Sequence, residues 1–188
     1  RLSGARVPGP LRAEIQARLT REVVVNLAST ESGGITRAGP DDHAVHPDTV
    51  GRPSPGVLVE VVDDEDRPLP AGDTGRLRVR GPAMVDGYIG DPAATARAFR
   101  DGWFYSGDVG FFLPDGSLVH LGRSDDMMNL GTIKIFPAEI ETTAAGFPGL
   151  VDCAAFARRA GAIGDIPMLA VVAQDTFDAG ALLDHCRA

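Results

Sequence analysis

The sequence predicts a mixed fold, part α/β and part α+β: the end of an α/β sheet layer plus a small antiparallel β-barrel, then a small α+β domain. Three observations support this division: an amphipathic helix followed by an apolar strand, a stretch in which apolar and polar residues alternate, and a change of composition after Arg123. We therefore place the sheet remnant at 1–50, the barrel-like part at 51–122 and the second domain at 123–188.

The first layer begins with a predicted helix over 10–19, where leucine and isoleucine recur at every fourth position. The apolar run at 23–25 follows it. This run is typical of a strand buried on both faces, as in a parallel sheet, and we expect its sheet partners to lie upstream of this chain. Residues 31–56 are rich in Gly, Pro, Asp and His and predict a loop.

Period-two alternation then predicts strands at 57–62, 75–80 and 117–121, with turns at 63–66 and 114–116. A short helix is predicted over 92–99, with Asp91 as its N-cap. In the second domain the pattern predicts, in order, a helix, two strands and a helix over 137–145, 151–157, 169–173 and 179–186.

Bulk properties exclude several classes of protein. The net charge of −8 argues against a nucleic-acid partner. No apolar run is long enough to span a membrane and no signal-peptide pattern opens the chain, so we expect a cytoplasmic protein. Cys153 and Cys186 have no metal-type spacing and are predicted to be small buried residues in a reducing compartment.

Two further sets of residues are candidates for binding a metal ion or a phosphate. Asp41, Asp42, His43 and His46 have the spacing of metal ligands, but the predicted loop around them has no element to fix their geometry, so we expect no metal there.

In contrast, Thr30 and Glu31 directly follow the predicted buried strand. The C-terminal ends of such strands face the ligand crevice, where a hydroxyl and a carboxylate can hold a phosphate and its Mg²⁺. The alternative is a turn capped by Thr30 or Ser29.

Two charged residues suit a nucleotide. Asp108 follows Gly107, and its carboxylate is able to accept both ribose hydroxyls. Arg123, one predicted strand later, is able to reach the ribose or a phosphate from the other side. The alternatives are an ordinary turn aspartate and a surface ion pair of little energetic value.

The order and spacing of these features resemble the AMP-forming acyl-adenylate superfamily, which contains acyl-CoA synthetases, adenylation domains of peptide synthetases and luciferases. The features that carry the resemblance are Gly107-Asp108, Gly122-Arg123, Asp125-Asp126 and the Pro-x-Glu-Ile-Glu stretch at 137–141. That stretch, with Gly-Trp-Phe-Tyr-Ser-Gly-Asp at 102–108, is most similar to a free-standing acyl-CoA synthetase. The resemblance implies that 1–122 is the C-terminal part of the large adenylate-forming domain and 123–188 the start of the small mobile domain.

The stretch from Leu27 to Glu31 resembles the family's Tyr-Gly-x-Thr-Glu motif. The resemblance implies that Thr30 contacts the nucleotide phosphate and Glu31 ligates Mg²⁺, and that both are catalytic. Leu27 stands where the family has an aromatic residue beside adenine, and Ala28 replaces the motif's glycine.

Other roles follow from the same resemblance. It implies that the backbone of Gly4, Ala5 and Arg6 walls the adenine, that Asp108 binds the ribose hydroxyls and that Arg123 assists. It also implies that Asp125 is the hinge between the domains. Gly131 and Thr132 would line a CoA (pantetheine) tunnel. An acyl pocket would be formed by Asn26, Gly34 and Ile35. Thr132 replaces a frequent glycine, and Asn129 stands where many members have lysine.

The resemblance implies a ligase that uses ATP (releasing AMP), Mg²⁺ and CoA to convert a small-molecule carboxylic acid to a thioester, as in fatty acid metabolism. The family's lysine-containing phosphate loop and its late adenylation lysine are missing, and the single lysine, Lys134, aligns with neither. We therefore expect a piece of an enzyme that is inactive alone and has the remainder of the same polypeptide as its partner. The alternatives are an acyl-AMP ligase loading a carrier-protein thiol, or a degenerate nucleotide-binding or interaction module without catalysis.

Overall fold

A computed structural model describes residues 1–4, 7–161 and 164–187. They form two compact units, Arg1–His120 and Leu121–Ala188. The mixed α/β character predicted from the sequence is confirmed. Within the described ranges, no helix is both long and apolar enough to cross a membrane.

Unit 1 contains three helices and eight strands among its described residues. In chain order they are α1 (Gly9–Arg18), β1 (Val25–Ser29), β2 (Gly33–Ala38), α2 (Pro40–Val45), β3 (Thr49–Pro53), β4 (Leu58–Val62), β5 (Gly75–Arg80), α3 (Pro92–Ala98), β6 (Phe99–Arg100), β7 (Trp103–Phe112) and β8 (Leu118–Arg123, which continues past the unit boundary). The helices predicted over 10–19 and 92–99 and the three predicted strands are therefore confirmed within one or two residues. The Asp91 cap is confirmed as well, since its Oδ1 accepts from the Ala94 amide at 2.8 Å.

These strands form one open sheet in the order β1-β2-β3-β8-β7-β5-β4, with β6 on β7. Among the described residues, β1 to β3 of the predicted sheet remnant join the same sheet as β4 to β8 of the predicted barrel-like part. The order does not return to its first strand, so the sheet is not closed. Its core is a cluster of Val61, Leu77 and Leu118, against which residues from four strands and one connection pack, among them Leu27, Val50 and Phe112.

The segment around β1 differs most from the prediction. β1 pairs antiparallel with β2 in a hairpin, and its parallel contact is one bridge between Leu2 and Val25. The predicted loop at 31–56 instead contains β2, α2 and β3. Two glycines of this segment lie in strands. Gly33 (φ 70°) ends the hairpin turn and Gly51 (φ 87°) lies in an irregular stretch of β3. Both positions need the left-handed region that glycine enters without strain.

Asp108 lies inside β7 and not in the ordinary turn that was the alternative reading of this position. The pairing of β7 with β5 passes from Tyr105↔Arg78 to Val109↔Arg76, so two additional residues of β7 form a bulge. Gly107, at φ 80°, supplies the conformation that this bulge requires. A bulge redirects the side chains next to it, and Asp108 is one of them.

Among its described residues, unit 2 contains β9 (Met128–Leu130), β10 (Ile133–Ile135), α4 (Pro137–Ala144), β11 (Leu150–Arg159), β12 (Asp165–Ala173) and α5 (Ala179–Arg187). The two predicted helices are confirmed. The two predicted strands are confirmed but are longer, and they pair with each other as an antiparallel ribbon. The short hairpin β9–β10 was not predicted, because three-residue strands carry little periodicity. Cys153 and Cys186 are free and half-buried.

His43 lies in α2, where 6% of its surface is exposed, and neither ring nitrogen has a hydrogen-bond partner within the described ranges. Burial, followed by the charge of Arg12, lowers the pKa of His43 below its usual 6.5. Asp42 caps α2 by accepting the Gly39 amide at Oδ2 (2.7 Å). The side chain of His43 is thus used for packing and that of Asp42 for capping.

This burial predicts a pH-dependent stability. The unfolded chain binds a proton on His43 at a higher pH than the folded chain does, so the folded state loses stability as the pH falls below 6.5. We expect His43→Gln, which does not titrate, to flatten the free energy of unfolding between about pH 7.5 and about pH 5.5. Urea denaturation across that range measures the slope. An unchanged slope in the variant would show that other groups cause the pH dependence.

Candidate active site

Thr30 and Glu31 lie at the tip of the β1–β2 hairpin. Ser29 pairs with Gly33 across a three-residue connection. The Ser29 hydroxyl braces it, since its Oγ accepts from the Ser32 amide at 3.1 Å and lies 2.9 Å from the Ser32 hydroxyl. The turn predicted as the alternative reading of this segment is therefore present. A braced turn also holds a hydroxyl and a carboxylate in fixed positions, so the turn is compatible with ligand binding.

The Glu31 carboxylate has a specific partner. The Tyr88 hydroxyl donates to Oε1 at 2.8 Å, and the Val85 amide donates to the Glu31 carbonyl at 2.9 Å. Tyr88 in turn packs edge-on against Phe99, with ring centroids 5.6 Å apart. The segment before α3 thereby orients the hairpin tip. A single carboxylate suits Mg²⁺, which takes one or two protein carboxylates and completes its shell with phosphate oxygens and water.

Asp108 also has a fixed carboxylate. Its Oδ1 lies 3.0 Å from Nε2 of His120 on the neighbouring strand β8, and the two side chains are 14% and 19% exposed. The Asp108 amide is within 3.3 Å of the Ser106 hydroxyl. The carboxylate is thus held within the bulge.

Arg123 belongs to unit 2, whereas Asp108 belongs to unit 1. Within unit 2, Nε of Arg123 donates to Oδ1 of Asp125 at 2.9 Å. This hydrogen bond holds the pKa of Asp125 below its usual 3.8. The predicted assisting arginine and the predicted hinge residue are therefore paired, and both line a cleft of about 500 Å³ with Asp126, Phe136 and Glu141 among its other walls.

Gly131 and Thr132 form the two-residue turn between β9 and β10. Gly131 has φ 62° at the first central position, as a type II′ turn requires. The turn alone explains the glycine, and a role for either residue in a CoA tunnel stays a prediction.

The three predicted acyl-pocket residues do not lie together. Asn26 and Gly34 line a cleft of about 370 Å³ in unit 1, together with Arg37 and Ser54. The buried Nδ2 of Asn26 has no hydrogen-bond partner in the part of the chain that the structure describes. Ile35, next to Gly34 on β2, is 1% exposed and belongs to the core, so it does not line this cleft.

The predicted adenine contacts are not tested by this geometry. Leu27 is partly buried against the core cluster of unit 1, which accounts for an aliphatic residue at this position. Gly4 has a left-handed backbone with φ 94°. Ala5 and Arg6 lie outside the described residues. Across the described ranges, no group of three or more His, Cys, Asp or Glu side chains is arranged to hold a metal ion.

Tyr88 and His120 were missed by the sequence analysis. His120 did leave a signal: it is two residues from the buried Leu118, so a polar ring occupies the inward face of a predicted strand. A polar group in that position needs a partner. The sequence signal at Tyr88 was weaker: it is an aromatic residue with a polar hydroxyl, located in the turn before α3.

Comparison with known proteins identifies the family to which the chain belongs. Residues 2–89 match the family model described as AMP-binding enzyme. The long-chain-fatty-acid–CoA ligase of Salmonella typhimurium is 31% identical over 177 residues, which are 93% of this chain and 32% of that protein. The chain thus spans about a third of the length of this curated relative.

Two solved structures are similar in fold and sequence. Amide bond synthetase McbA from Marinactinospora thermotolerans has a TM-score of 0.87 and 31% identity, over 98% of this chain and 38% of that one. ATP-bound MatB from Rhodopseudomonas palustris has a TM-score of 0.88 and 30% identity, over 98% and 37%. By sequence and by fold, the chain therefore belongs to the AMP-forming acyl-adenylate superfamily of AMP-binding enzymes.

Proposed function

We propose that the chain is part of an AMP-forming carboxylic acid–CoA ligase. The observation that carries the proposal is the Glu31 carboxylate, which the Tyr88 hydroxyl holds at the tip of a braced hairpin. The relatives support it: one is a CoA ligase, and the MatB structure contains ATP.

In the first step, a carboxylate oxygen of the acid attacks the α-phosphorus of ATP, and the bond to pyrophosphate breaks. The products are acyl-AMP and pyrophosphate. Negative charge increases on the phosphate oxygens during this displacement. Thr30 contacts these oxygens in the proposal, and Glu31 would hold a Mg²⁺ ion that offsets their charge.

The remaining residues bind and orient the nucleotide and the acceptor. Asp108 accepts the ribose hydroxyls and Arg123 assists. In the second step the CoA thiol attacks the acyl carbon and AMP leaves. The residues of 123–188 belong to the small domain in this proposal, with Asp125 as its hinge and Gly131 and Thr132 along the path of CoA.

The test is carboxylate-dependent exchange of labelled pyrophosphate into ATP, measured on the full-length polypeptide that contains this chain. We expect exchange with at least one acid of a panel of fatty and aromatic acids, and none from the 188 residues alone. Absence of exchange from the full-length protein, with AMP binding retained, would favour a nucleotide-binding module instead. Exchange by the 188 residues alone would contradict the expectation that this chain is inactive without the remainder of the polypeptide.

The acceptor needs its own measurement. Thr132 has a side chain where the family often has glycine, which favours a narrower path and hence, as the alternative, an acyl-AMP ligase acting on a carrier-protein thiol. Supplying CoA or a phosphopantetheinylated carrier protein to the full-length enzyme separates the two. We expect thioester formation with CoA.

A further inference from the structure

The bond between His120 and Asp108 goes beyond the roles that the family resemblance assigns. His120 has no part in those roles, yet its Nε2 is 3.0 Å from the carboxylate proposed to bind ribose. Both side chains lie in unit 1 on adjacent strands, and each is more than four-fifths buried. A contact between two buried polar groups at this distance is a hydrogen bond with a defined direction.

The direction follows from the chemistry of the acceptor. An ionised carboxylate only accepts hydrogen bonds. Nε2 of His120 therefore carries the hydrogen atom and donates a hydrogen bond to Oδ1 of Asp108. The hydrogen bond stops rotation of the Asp108 carboxyl group. Without it, nothing in the strand pairing would fix this carboxyl group, because Asp108 lies in the unpaired bulge of β7. A carboxylate has about four acceptor positions, so enough remain for two hydroxyl groups.

We propose that His120 is a positioning residue, which fixes the Asp108 carboxylate so that it accepts the vicinal hydroxyls of a ribonucleotide. The proposal rests on the proposed role of Asp108. Fixing the carboxylate in advance lowers the cost of ordering it on binding. His120 thereby contributes to the preference of the site for ribonucleotides over nucleotides that lack these hydroxyls.

The experiment compares two probes on the full-length polypeptide: AMP and 2′,3′-dideoxyadenosine monophosphate, which lacks both hydroxyls. Calorimetry gives the Kd of each probe for the wild type, Asp108→Asn, His120→Leu and His120→Gln. We expect His120→Leu to weaken AMP binding by up to about tenfold, which is the cost of ordering one side chain on binding, and to leave the dideoxy probe unaffected. His120→Gln keeps a donor and should restore part of the loss.

Each result bears on a different claim. If Asp108→Asn weakens both probes equally, or if the wild type does not bind AMP, the ribose site itself is wrong. If Asp108→Asn reduces the preference for AMP but His120→Leu retains it in full, the site stands and the role of His120 is overturned. Equal weakening of both probes by His120→Leu, without rescue by His120→Gln, would show that the histidine only supports the fold.

Discussion

Gly51→Ala is expected to destabilise unit 1 by about 4 kcal/mol or more, a large fraction of the total stability of a typical domain. Gly51 has φ 87°, and a Cβ at this position would lie 1.8 Å from the carbonyl oxygen of Arg37 and 2.4 Å from the amide nitrogen of Ala38. Those atoms belong to the backbone of β2, so no side-chain rotation relieves the overlap. β3 links β2 to β8, and separating them disturbs the strands that lead to Glu31 and His120.

Gly56→Ala is the matched control. Gly56 has φ 78° but nothing within 4 Å of an added Cβ, so the variant carries the conformational strain without the collision. That strain alone costs about 1–2 kcal/mol. The free energy of unfolding from urea titration, followed by far-UV circular dichroism, measures both variants. Similar losses in the two would show that β2 and β3 do not approach as closely as described.

Gly51 also illustrates what sequence reasoning misses. A glycine among Gly, Pro, Asp and His residues indicates a loop by local composition. Its actual role is set by a strand 14 residues earlier in the chain, since Thr36 on β2 donates to the Val50 carbonyl beside it at 2.6 Å. The local pattern contains no information about that partner. Most of unit 1 between 31 and 56 was therefore predicted wrongly for one reason.

Elements whose cause is local were predicted well. β5 alternates along its six residues and was predicted with its observed bounds, Gly75–Arg80. Asp91 followed by Pro92 predicted both the start of α3 and its cap. The proline-led start of α4 at Pro137 was equally clear. In each case the residues that determine the element lie within it or next to it.

The candidate site divides in the same way. Thr30, Glu31 and Asp108 were found from their types and spacing. Their partners Tyr88 and His120 are 57 and 12 residues away in sequence, and the fold alone brings them together. The resemblance to a family pointed to the groups that we propose to meet a ligand. The structure adds the side chains that hold those groups in place.

The second large effect concerns Glu31. We expect Glu31→Gln in the full-length polypeptide to reduce pyrophosphate exchange at least about 100-fold, since one charged group aimed at a phosphoryl-transfer transition state contributes on this scale. Glutamine keeps the size of the side chain and still accepts from Tyr88, so the change removes the charge and little else. The variant should also need more Mg²⁺ to reach its maximal rate.

Glu14→Gln provides the control for loss of one negative charge. Glu14 lies on the exposed face of α1, 3.2 Å from Arg18, and its replacement should leave the exchange rate unchanged. Tyr88→Phe separates orientation from charge: it removes the hydroxyl held at 2.8 Å from Oε1 but leaves the carboxylate. A smaller loss than in Glu31→Gln, partly recovered by raised Mg²⁺, is expected because a mobile carboxylate still binds the ion. If Glu31→Gln exchanges as fast as Glu14→Gln, then Glu31 is only a turn residue and does not hold the magnesium ion of the full-length enzyme.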